Sequence, residues 1–103
     1  MIKRPGKLRL LGKTWRVAYG EVGGEDIGEC DLERQTLTVK DGLKLEQEKS
    51  TLLHECLHAI SESLGLGLTE KQVLGLEAGL YDLNNSNPRI FSYLRKQRGS
   101  KTS

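Results

Sequence analysis

The sequence predicts an α+β domain: a small mixed or antiparallel sheet of three to four strands followed by two or three helices. Three observations carry that expectation. Residues 7–40 hold short alternating apolar runs broken by glycine-containing turns. Residues 45–84 hold two longer runs whose apolar residues recur at helical spacing. At 103 residues the chain has room for one domain with a modest core, spanning 1–103.

Residues 8–11 and 14–19 read as two strands around Gly12 and Lys13, a Gly-x hairpin turn. Trp15, Val17 and Tyr19 alternate with Thr14, Arg16 and Ala18, so one face is apolar. Residues 20–26 form a loop of glycines and acids, and 27–30 a short strand. Residues 35–40 set Leu37 and Val39 against threonines and end at Asp41-Gly42. A first helix is expected from about 45 to 64, stopped by Gly65. A second, from about 70 to 84, opens with a capping box of Thr69 and Gln72. Asn87 and Pro88 read as the N-cap and first position of a third, basic helix, which leads into a ragged tail within 88–103.

Charged residues make up 29% and hydrophobic ones 36%, a globular balance. Net charge is only +2 but unevenly spread: residues 1–20 hold six Lys/Arg and residues 88–103 hold five, with no acids in either segment. All fourteen acids fall between Glu21 and Asp82, beside five bases. Basic ends can touch nucleic acid, but the tail lacks interleaved aromatics, which argues against that partner. No stretch approaches the roughly 18 apolar residues of a membrane span. The first residues lack the apolar segment of a signal peptide, so a cytoplasmic location is expected. Cys30 and Cys56 make no disulfide framework and read as small hydrophobes.

The chemistry concentrates in His54-Glu55-Cys56-Leu57-His58, which uses both histidines of the chain. On a helix, positions i and i+4 lie about 40° apart in azimuth and about 6 Å in height. Two imidazoles so placed can reach one Zn²⁺ at about 2.0–2.1 Å from the same side. Glu55, about 100° round the helix, can flank the ion and take a proton from water without coordinating the metal. An apolar stripe of Leu53, Leu57, Ile60 and Leu64, widened by Leu52, Cys56 and Ala59, supports a helix here, with both histidines off the stripe.

Catalytic zinc usually has three protein ligands, and no third histidine exists. The third ligand is therefore expected to be a carboxylate or Cys30. On the second helix Val73, Leu76, Leu80 and Leu83 keep helical spacing and place Glu77 within the buried face. An acid there is costly to bury unless it is paired or binds metal. Asp82 points roughly the opposite way, and Glu70 lies in the first turn, where a carboxylate suits the helix dipole.

His54, Glu55 and His58, followed after eighteen residues by Glu77, resemble the gluzincin clan of zinc metallopeptidases. More narrowly, Thr51-Leu52-Leu53-His54-Glu55, Gly79-Leu80-Tyr81 and Asn87-Pro88 resemble small, often phage-encoded metallopeptidases. The resemblance implies a minimal zincin-like fold holding one Zn²⁺ on His54, His58 and Glu77, with Glu55 as general base. It also implies peptide-bond hydrolysis, with an intracellular protein as substrate, in the host cytoplasm if phage-encoded. Residues 35–40 become the strand expected to pair with extended substrate. Tyr81 is the nearest group for holding the oxyanion, against a plainer role as a packed aromatic at a helix edge. The alternative is a zinc-stabilised, catalytically inactive binding module of the same fold.

Overall fold

A computed structural model describes residues 3–96 of the chain. The elements run β1 (Lys7–Leu10), β2 (Lys13–Gly20), β3 (Gly28–Asp31), β4 (Thr36–Lys40), α1 (Leu45–Ser63), α2 (Glu70–Ser86) and α3 (Ile90–Leu94). The expected α+β architecture is present: one four-stranded mixed sheet, then helices. Strand order is β1-β2-β4-β3, with β2 and β4 parallel and the outer pairs antiparallel. Of the expected basic tail, residues 97–103 lie outside the described residues.

The first hairpin turns one residue earlier than its sequence suggests. Leu10 pairs with Lys13, so the turn is Leu11-Gly12, and both take positive φ (53° and 78°). Two consecutive positive φ values are what a type I′ hairpin turn requires. Leu11 bears that conformation although it is not glycine, which is why the dipeptide did not signal the turn.

The alternation in the strands gives the core. Trp15 and Val17 of β2 and Leu37 and Val39 of β4 are all buried, facing α1 across one side of the sheet. Leu52, Cys56 and Ala59 of α1 pack on Trp15 and Leu37. This moves the sheet-facing side of α1 off the expected stripe: Leu57 is buried, Leu53 and Ile60 are half-buried, and Leu64 is 56% exposed. The reason is that α1 is covered twice, by the sheet on one side and α2 on another, so no single stripe describes it.

The second helix also packs through a narrower face than its leucines suggest. Val73 is fully buried and Glu77 and Leu80 half-buried, whereas Leu76 and Leu83 are exposed. Asn87 does not cap α3 as expected. It closes α2 as its C-cap, its side-chain amide donating to the Leu83 carbonyl at 3.1 Å, and Arg89 precedes α3 instead.

Residues 35–40 were expected to meet substrate, but β4 is hydrogen-bonded on both sides, by β2 and by β3, and offers no free edge. The free edge next to α1 belongs to β3. Lys40 N–H bonds the Ile27 carbonyl at 2.8 Å, so antiparallel alternation turns the N–H and C=O of Gly28 and Cys30 outward. Among the described residues, no helix is long and apolar enough to cross a membrane.

Leu37→Ala should cost about 2–5 kcal/mol by leaving a cavity between sheet and helix. Leu94→Ala, at a side chain 59% exposed, should stay within about 0.5 kcal/mol of the parent. Urea unfolding of the two variants measures the difference.

Candidate metal centre

The end of α1 decides where α2 begins. Gly65 takes φ 65°, its N–H bonds the Glu62 carbonyl, and Leu66 N–H bonds the Ser61 carbonyl at 2.8 Å. This pair of bonds is the Schellman closure. The buried Ser61 hydroxyl then accepts from Leu68 N–H at 3.0 Å, pinning the connection. Thr69 starts the next helix through the expected capping box: its hydroxyl accepts from Gln72 N–H, and the Gln72 side chain accepts from Thr69 N–H. Glu70, the first residue of α2, is thereby fixed one step after a capped residue, beside the histidines of α1.

The two imidazoles converge as their spacing predicts. Nε2 of His54 and Nε2 of His58 lie 3.1 Å apart. Both Glu70 oxygens are directed at them, Oε1 at 2.6 Å from His54 Nε2 and Oε2 at 3.1 Å from His58 Nε2. His54, His58 and Glu70 form the group among the described residues that could hold a metal ion, with donor atoms all within 4.8 Å of one another. Glu77 stands on the other side of the ring: its Oε1 is 2.8 Å from His54 Nδ1. The sequence pointed to Glu77 for the third ligand position; in the structure Glu70 joins the two Nε2 atoms and Glu77 holds Nδ1. Glu70 was legible only as a first-turn acid. The signal that locates it is the capping box, which sets that acid twelve residues after His58 across a short connection.

Glu55 is 6% exposed and lies under β3. A Cβ at Gly28 would stand 2.8 Å from Glu55 Oε2 and 2.7 Å from Thr51 Cγ2, so only glycine lets the strand come this close to the helix. Burial raises the Glu55 carboxyl above its ordinary value; His54 and His58 oppose that, and Glu70 and Asp26 reinforce it. Cys30, the other third-ligand possibility, also lines the cleft, but its thiol is outside the converging group. Burial, with Glu55 next in effect, pushes it up to about 11. Cys56 is likewise pushed up to about 11 by burial. Both are neutral thiols at pH 7 and pack as hydrophobes.

Tyr81 is not brought to this cleft. Its hydroxyl donates to Glu46 Oε2 at 2.7 Å, along a separate groove between the two long helices. That hydrogen bond raises the phenol's pKa.

The cleft itself has a volume of about 790 Å³. The β2–β3 loop and β3 form one wall, α1 the floor, and the first turns of α2 the other wall. No protein family, curated protein or solved structure matches the chain.

Gly28→Ala should destabilise the fold by about 1–3 kcal/mol, because strand and helix must part to admit the methyl. Gly6→Ala, where an added Cβ meets nothing within 4 Å, is the control. Equal melting temperatures for the two would refute the close approach.

Proposed function

We propose that the chain is a zinc-dependent metallopeptidase of gluzincin type, hydrolysing peptide bonds of a protein substrate. The observation that carries this reading is the convergence of His54 Nε2, His58 Nε2 and a Glu70 carboxylate next to a buried Glu55.

The donor chemistry fits zinc. Two imidazole nitrogens and a carboxylate are a recurrent catalytic set, and tetrahedral ligands at about 2.0–2.1 Å from zinc stand about 3.3 Å apart. The observed 3.1 Å between the Nε2 atoms agrees. Two unprotonated nitrogens at that distance repel unless a cation or proton lies between them. With Glu77 accepting from Nδ1–H of His54, the Nε2 lone pair is left free to bind metal, and the ring is held in place. His54, His58 and Glu70 would therefore hold the ion, and Glu77 would orient His54.

Bound there, zinc supplies Lewis acidity, acidifying water and polarising a peptide carbonyl. The chain's own residues do the rest. Glu55 accepts a proton from the attacking water at its carboxylate and returns it to the leaving amide nitrogen. Its burial excludes competing water and makes the ionised carboxylate a stronger base. The outward N–H and C=O groups of Gly28 and Cys30 offer an extended substrate two main-chain positions for strand addition along β3.

Metal analysis of purified protein should find one zinc per chain, and chelation should lower the melting temperature, because metal that binds only the native state stabilises it. Glu70→Ala should abolish tight zinc binding, while Glu77→Gln should weaken it about 10–100-fold through the loosened His54 ring. The reverse ranking would make Glu77 the ligand. Glu55→Gln should keep zinc and fold but lower peptide hydrolysis by about a hundredfold or more. Tight zinc with no hydrolysis by the parent would leave only the non-catalytic binding module.

A further inference from the structure

Seven of the sixteen residues lining the cleft are Asp or Glu and none is Lys or Arg, although the chain as a whole has more bases than acids. Glu55, Glu70 and Glu77 belong to the centre. Of the other four, Glu25, Asp26 and Glu62 stand around the cleft, whereas Glu29 alternates with the inward-facing Gly28 and Cys30 on β3, so its side chain lies on the other face of the sheet. None of these four is in an ion pair among the described residues; Arg4, the one paired arginine, is spent on Asp41 and Glu48 away from the cleft. A divalent ion cannot neutralise the six carboxylates that remain, so the cleft stays anionic when loaded. These acids come from separate elements, Glu25 and Asp26 from the loop before β3 and Glu62 from the last turn of α1. Screening at ~0.1 M salt acts over about 10 Å, so the fields of neighbouring carboxylates in the cleft reinforce one another.

Two buried polar groups mark this as a place for an incoming ligand. Thr51, 4% exposed, lines the cleft with its hydroxyl unpartnered. Glu55, 6% exposed, lines it beside Thr51. A peptide laid along β3 would bring main-chain donors past both.

We infer that the cleft selects a cationic polypeptide: an extended segment carrying Lys or Arg on both sides of the residue placed over the two histidines. The inference rests on the peptidase reading for calling that segment a substrate, but the selection itself is electrostatic. Wall carboxylates concentrate a cationic segment, exclude acidic ones and pair with its side chains where water is partly displaced.

The test is binding to the zinc-loaded Glu55→Gln variant, which does not turn over. Fluorescence anisotropy compares three peptides of one backbone, with Arg, Gln or Glu at the flanking positions. The Arg peptide should bind about tenfold or more tightly than the Gln peptide, with the Glu peptide weakest. Its advantage should shrink as salt rises to ~0.5 M. Adding Glu25→Gln, Asp26→Asn and Glu62→Gln together should erase the advantage while zinc stoichiometry is unchanged. Equal binding of the three peptides, no binding of any, or an advantage that survives wall neutralisation would overturn the inference. Parental hydrolysis without charge preference would overturn it and leave the peptidase reading standing. Arg preference without parental hydrolysis would do the reverse.

Discussion

The centre depends on how the chain turns back at the end of α1. Two backbone bonds across Gly65 and one from Leu68 to Ser61 fix a short connection. That connection holds the first turn of α2 against α1. Glu70 and Glu77 then reach His54 from its two nitrogens, two turns apart on the same helix. Ser61 would be an ordinary polar residue on an exposed face. Buried at 3% exposure, it spends its hydroxyl on the connection, so the polar group is satisfied where water is absent.

The sheet contributes something different. Its inner face supplies the apolar core through Trp15, Leu37 and Val39, while its edge strand closes over Thr51 and Glu55. An ionisable side chain so confined would normally be paired, since burying a lone charge is costly. Glu55 has only the two imidazoles nearby to favour its charge, and burial outweighs them. The fold thus carries a locally unfavourable arrangement at the place where chemistry is proposed, and offsets it with packing on the opposite side of α1.

Much of this was legible in the residues. The helical periodicity around His54 and His58, the stop at Gly65, the Thr69–Gln72 cap and the alternation of Trp15, Val17, Leu37 and Val39 are local patterns, and local patterns survive folding. What could not be read were matters of tertiary arrangement. A helix covered on two sides has two faces, so Leu64 and Leu76 fit an apolar period yet stay exposed. Strand order is non-local: nothing in residues 36–40 says that β4 lies between β2 and β3. Asn87 carries equal local credentials for ending one helix or starting another, and the carbonyl of Leu83 decides. Glu70 and Glu77 are both acids on one helix; only the placement of that helix distinguishes them.

The chain divides its tasks along its length, and this bears on how it folds. Among the described residues, the donors that converge on the two imidazoles come from the αα-hairpin of α1 and α2, within a span of 24 residues from His54 to Glu77. That unit has low contact order and a small loop-closure cost. The parallel pairing of β2 with β4, by contrast, must close over the whole β3 excursion, and long-range parallel pairing is slow. The helical hairpin can therefore gather its donors before the sheet is complete, whereas the wall that would meet a peptide exists only after the slower seam has formed.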